Sequence, residues 1–138
     1  MSRRTVSWLA WSLFGFYVTT LLTTLGLIAW GDANVEQGFV VIGVGFALVG
    51  ALVARREPAN AVGWLLLATA LSVGLQELAV AYLDAADGPA RLIAAWLALQ
   101  LGWLYFALVL LPLVFPTGRL LSPRWRWAVW AGLGGALI

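Results

Sequence analysis

Apolar residues fill most of this chain, and four short polar stretches divide them into five runs. The runs cover residues 8–30, 38–54, 61–83, 92–115 and 127–138. About 20 apolar residues in a helix cross a hydrocarbon core of ~30 Å. The first four runs meet that requirement, the second being the shortest. The fifth holds about a dozen residues, too few to cross alone. It either lies at the interface or belongs to a span cut at Ile138. The uncharged ending Gly134-Gly135-Ala136-Leu137-Ile138 favours the second reading. The pattern predicts an all-α, polytopic transmembrane helix bundle. It has four complete spans plus a fifth truncated or interfacial apolar helix, and residues 1–138 form a single integral membrane domain.

The charged positions orient this bundle. Arg3 and Arg4 precede the first run, Arg55 and Arg56 follow the second, and Arg119, Arg124 and Arg126 follow the fourth. Those three segments share one side. The opposite connections, 31–37 and 84–91, hold only Arg91, beside Asp32, Glu36, Asp84 and Asp87. The positive-inside rule therefore predicts a cytoplasmic N-terminus in the cell (plasma) membrane. The first run is too long for the h-region of a cleaved signal peptide, which spans about 7–15 residues. The Arg3-Arg4 pair echoes a twin-arginine signal only weakly, because Val6 and Ser7 follow it. A retained signal-anchor helix is the expectation. Trp8, Trp11, Trp64, Trp125 and Trp127 fall near the inner interface, and Trp30, Trp96 and Tyr82 near the outer one. This is the arrangement of an aromatic belt. Trp103, mid-run, reads as a packing residue.

Composition then narrows the chemistry. The chain is 63% hydrophobic and 10% charged, and its mean hydropathy is +0.96. It has no His and no Cys, and all eight basic residues are Arg. Zinc and haem sites built on imidazole or thiolate are excluded, as are Cys nucleophiles, Ser-His-Asp triads and Schiff-base chemistry. A phosphate-binding P-loop lacks its lysine. No catalytic apparatus and no cofactor are expected within these residues. A net charge of +2 argues for no nucleic-acid partner. The expected partner is the lipid bilayer. The two connections on the acidic side are far shorter than the ~50 residues of a small domain, so a stimulus would be read in or at the membrane.

Helices in lipid associate through small residues and buried hydrogen bonds. Gly43, Ala47 and Ala51 recur every four residues on the second run, with Gly50 and Ala54 on an adjacent line. Ala70, Gly74, Glu77 and Ala81 share one face of the third, and Ala128, Ala131, Gly132 and Gly135 mark the fifth. Such faces suit packing within the chain, the favoured reading, or a homodimer interface. Pro58 breaks the chain after the second run, and Asn60 is placed to cap the third helix. Pro116-Thr117-Gly118 reads as a turn, and Pro112 kinks or ends the fourth run one turn earlier. Glu77 is the only acidic residue inside a predicted span, about six residues below the outer end of its helix. An ionisable group at that depth belongs against protein or water. The expectation is an intramembrane polar cluster of Glu77 with Gln100 or with Thr20 and Thr24, Thr23 being close by. Snorkelling of Glu77 to the outer headgroups is the alternative.

Two of the connecting segments carry a family resemblance. Arg55-Arg56-Glu57-Pro58-Ala59-Asn60-Ala61-Val62-Gly63-Trp64-Leu65-Leu66 resembles the "RRPxNPxGWLL" segment of a family of membrane proteins from high-GC Gram-positive bacteria. Leu113-Val114-Phe115-Pro116-Thr117-Gly118-Arg119-Leu120-Leu121-Ser122-Pro123-Arg124-Trp125-Arg126 is similar to that family's "LLFPDGRLPSPRWR" segment. Ala61 stands in place of the family's Pro, and Thr117 in place of its Asp. The best-known members are sensor histidine kinases of two-component systems, and the motif also occurs in multi-helix membrane proteins without a kinase. The resemblance implies a membrane-embedded input and anchor module. Kinase domains would follow beyond residue 138 in cis, with a response regulator as partner. It places Pro116, Gly118, Arg119, Arg124 and Arg126 in a cytoplasmic arginine and turn motif. The plainest role of those arginines is topology signalling; contact with anionic headgroups and docking of a cytoplasmic domain are the alternatives. A small transporter or channel subunit and a structural multi-pass membrane protein are the competing functions.

Overall fold

The computed structural model describes residues 3–30 and 37–101 together with Trp127. The described residues are all-helical: α1 (Arg3–Trp30), α2 (Gln37–Arg56), α3 (Ala61–Ala85) and α4 (Arg91–Leu101). At 1.5 Å per residue, α1 is ~42 Å long and α3 ~37 Å. Arg4–Trp30 and Ala61–Ala85 are each long and apolar enough to cross a membrane. The described part thus carries two such helices where the hydropathy pattern predicts four complete spans. The expected continuation of α4 to 115, the 116–126 motif and all of the fifth run except Trp127 lie outside the described residues.

Helix ends differ from the apolar runs where charged residues extend them. Arg3 and Arg4 are the first residues of α1, and Arg55 and Arg56 form the last turn of α2. Arginine is a good helix former, and a cation is favourable at a helix C-terminus. The connection from α2 to α3 is built from local bonds. Asn60 is extended (φ −84°, ψ 114°), and its side-chain oxygen accepts from the Val62 N–H at 3.0 Å. The Asn60 N–H donates to the Glu57 carbonyl at 2.9 Å, and the Trp64 indole N–H donates to the Pro58 carbonyl at 3.0 Å. Trp64 is therefore a clamp on this turn. Removing the cap by Asn60→Ala is expected to cost about 1 kcal/mol, read as a lowered unfolding temperature in detergent. No change in that temperature would show the turn to be held by Trp64 and Pro58 alone.

The connection from α3 to α4 explains the one arginine on the acidic side. Arg91 Nη1 donates to the Leu83 carbonyl at 2.8 Å, to the Ala86 carbonyl at 3.1 Å and to Asp87 Oδ1 at 3.0 Å. It satisfies carbonyls that the end of α3 leaves without helical partners. Arg91 is thus a helix-capping group, whatever its weight in topology.

Among the described helices α3 is central and packs on α1, α2 and α4, while α1 also packs on α2. The α2–α3 crossing is the tightest. A Cβ on Gly63 would meet the Ala54 backbone nitrogen at 2.5 Å and the Gly50 carbonyl oxygen at 3.1 Å. A Cβ on Gly50 would meet the Leu67 nitrogen at 2.8 Å. The two backbones touch, as small residues permit. Ala47, Ala51 and Ala54 are fully buried on the same side of α2. Ala10, Ala51, Ala54 and Leu67 form one buried cluster, and Tyr17, Ala47 and Ala70 form a second. The small-residue line of α2 is consumed within the chain.

The outward faces are the opposite in character. Trp8, Phe16, Leu22, Leu25, Val49, Leu92, Ile93 and Leu99 are all exposed. The buried polar side chains include Thr20, Thr24, Thr69 and Ser72. Each of these hydroxyls donates to a carbonyl of its own helix, three or four residues back, which removes the cost of burying it.

Candidate functional site

The largest fully buried side chain belongs to Tyr17, which is 2% exposed. It points from α1 into the junction with α2 and α3, and two glycines make room for it. At Gly43 of α2 any Cβ would collide with the Tyr17 hydroxyl. At Gly74 of α3 a Cβ would lie 3.0 Å from both Tyr17 Cε2 and Thr20 Oγ1. Ala47 and Ala70 complete the slot. The aromatic ring of α1 therefore fills the volume left where α2 and α3 carry small residues.

Glu77 lies one turn beyond Gly74 on α3. It is half-buried, and its carboxyl stands within electrostatic reach of the Tyr17 phenol. Thr20, against Gly74, donates its proton to the Tyr17 carbonyl at 2.7 Å. Thr24 donates to the Thr20 carbonyl at 2.9 Å. With those protons committed, the hydroxyl oxygens retain lone pairs and can only accept from a further partner. Next to Glu77, the side-chain oxygen of Gln76 is buried without a hydrogen-bond partner. Thr23, also near this depth, is exposed and donates to the Thr19 carbonyl at 2.9 Å.

The structure brings Glu77, Tyr17 and Thr20 to one helix junction, with Thr24 a turn further along the buried face of α1. The side chain of Gln100 lies outside the described part of α4. So do Pro116, Gly118, Arg119, Arg124 and Arg126. Asn60 is a helix cap remote from this junction. Tyr17 and Gln76 stand outside the polar cluster that the sequence predicts. One signal for Tyr17 was available: Ala10, Tyr17 and Thr24 recur every seven residues, two helical turns, on one face. Gln76 carried its signal in its adjacency to Glu77.

No group of three or more metal-ligating carboxylates occurs among the described residues. The arrangement offers a carboxyl, a phenol and hydroxyl acceptors in a largely apolar setting. It can hold or release a proton, or exchange hydrogen-bond partners when the helices shift; it contains no nucleophile–base pair. No family model, curated protein or solved structure matches the chain.

Proposed function

We propose that this chain is the membrane-embedded input and anchor module of a two-component sensor histidine kinase. Four complete spans lie in the cell membrane with the N-terminus cytoplasmic, and the relay is a shift of α1 against α3 at the Tyr17–Glu77 junction. The observation that carries the reading is the apolar outward surface: large side chains such as Trp8, Phe16, Leu22 and Leu25 are exposed, while the buried hydroxyls of Thr20, Thr24, Thr69 and Ser72 are satisfied within their own helices. Hydrocarbon rather than water is the solvent that favours such a surface. The two membrane-length helices support it. So does the resemblance of the 55–66 and 113–126 segments to the membrane part of such kinases.

In this reading a stimulus within the bilayer changes the packing of α1 on α3, and a bistable contact amplifies a small displacement. The Tyr17 ring is the contact that must move. Its slot is closed by glycine on both sides, so a shift of either helix changes its fit and the partners of the Glu77 carboxyl.

The chain lacks cysteine, so single introduced cysteines report topology without background. Ala59→Cys is expected to react with an impermeant maleimide only from the cytoplasmic face, and Asp87→Cys only from the outside. Labelling of both from one face removes the multi-pass reading. The kinase assignment has its own test in the coding frame beyond Ile138. Continuation into a His-bearing helix pair and an ATP-binding domain supports it, and a stop codon at that point overturns it.

A further inference from the structure

Far from Glu77, the first turns of α1 meet the last turn of α2. The antiparallel register is set by Ala10, which packs with Ala51 and Ala54. That register carries Arg4, just under two turns before Ala10, to the side of Arg55. Arg4, Ser7, Trp8, Trp11 and Arg55 line one groove of about 320 Å³. Two arginines from different helices thus line one groove together with a serine and two tryptophans.

Among the described residues, the lining of this groove contains no carboxylate to compensate its charge. The chain has six acidic residues. Asp32 and Glu36 fall in the sequence between the far ends of α1 and α2. Asp84 and Asp87 follow α3 at its far end, and Glu77 belongs to the Tyr17 junction. Glu57 alone is near in sequence. It accepts from the Asn60 amide at 3.4 Å and lines a separate groove with Arg56. Bringing two like charges together is unfavourable unless an anion joins them.

The shape of the groove specifies the anion further. Guanidinium groups present planar, forked donors that match phosphate oxygens. Trp8 is 76% exposed, and indole rings settle at the boundary of headgroup and hydrocarbon. Seven residues before Arg55, two turns along the same stripe of α2, stands Leu48, which is exposed. Four residues after Trp11 stands Gly15, where a Cβ would meet nothing within 4 Å. Helical spacing thus puts two exposed, uncharged positions, one on each helix, on the stripes that lead away from the groove. A free phosphate uses only the arginine groove, whereas a phospholipid uses the stripes as well.

We propose that Arg4 and Arg55, with Ser7, Trp8 and Trp11, form a binding site for the phosphate of an anionic phospholipid, whose acyl chain runs along those stripes past Gly15 and Leu48. The assignment rests on the bilayer placement of α1 and α2 and is independent of any kinase. Cysteine labelling at Ala59 and Asp87 tests that placement separately, so failure of the lipid site alone leaves the topology standing.

The test is native mass spectrometry of the full chain released from nanodiscs holding equal amounts of phosphatidylglycerol and phosphatidylcholine. The wild-type protein is expected to retain phosphatidylglycerol preferentially. Arg4→Gln combined with Arg55→Gln is expected to lower that retention about thirtyfold, given the attraction of each arginine to an anionic surface. Arg56→Gln, of equal charge to either single change but outside the groove, is expected to retain lipid within about twofold of wild type. All three arginines in these comparisons are tested in the lipid-embedded protein, and wild-type selectivity needs no variant at all. Equal retention of the two lipids overturns the site. So does loss of the same size in Arg56→Gln, which marks a diffuse charge effect, and so does displacement of the lipid by millimolar inorganic phosphate.

Discussion

Gly63→Ala should unseat α2 from α3 and give the largest loss of stability of any single methyl group added to the described helices. The new Cβ would lie 2.5 Å from the Ala54 nitrogen and 3.0 Å from its Cα. Both are backbone atoms, so no rotamer change relieves the contact and the helices must separate. Overpacking of this kind costs about 1–3 kcal/mol and occasionally more, and a backbone collision belongs at the upper end. Separation would also loosen Ala51, Ala54 and Leu67, which share the adjoining cluster. Gly45→Ala is the matched control, because nothing lies within 4 Å of its Cβ position. There the gain in helix propensity, about 0.5–1 kcal/mol, should leave stability equal or raised. Thermal unfolding in mixed micelles, followed by circular dichroism, separates the two. Equal transition temperatures for Gly63→Ala and wild type would show that the helices do not cross at this point.

Tyr17→Ala should be at least as damaging, for the opposite reason. Removing a buried aromatic side chain typically costs about 3–5 kcal/mol, because the surroundings close only partly around the void. Here the slot is lined by Gly43, Ala47, Ala70 and Gly74, which have no side chain long enough to refill it. Phe16→Ala, one residue away on the exposed face, should change unfolding little. The hydroxyl is tested apart from the ring by Tyr17→Phe, alone and with Glu77→Gln. Residues sharing one polar network show coupling energies of about 0.5–3 kcal/mol in a double-mutant cycle. Coupling within that range is expected. Strict additivity would mean that the phenol and the carboxyl act independently, and the proposed relay would lose its polar link.

The two variants bear on function differently. Gly63 sets the distance between α2 and α3 and holds no polar contact, so its replacement should alter stability ahead of signalling. Tyr17 joins α1 to both other helices, so its more conservative change to Phe should alter the response while leaving most packing in place. Under the proposed relay, comparing signalling output across Tyr17→Phe and Gly45→Ala distinguishes a relay at the junction from a general sensitivity to helix substitutions.

What the sequence determined by itself is local. The extent of the apolar runs follows from residue type alone, and so do the break at Pro58 and the cap at Asn60, whose partner Val62 is two residues away. Even the Arg91 cap spans only eight residues. The small-residue line Gly43, Ala47 and Ala51 was legible too, since helical spacing puts those positions on one face. What only the tertiary structure decided is which face meets which. Contacts between helices depend on their relative register, which is set by how backbones interlock at Gly50 and Gly63 and not by any one helix. That register selected Tyr17 as the partner of Gly43 and Gly74, and it brought Glu77 within electrostatic reach of the Tyr17 phenol. It also drew Arg4 to Arg55 across more than fifty residues of sequence. Hydropathy cannot rank these pairings, because in an apolar bundle nearly every face is equally apolar, and the choice falls to the few positions where a missing side chain lets two backbones touch.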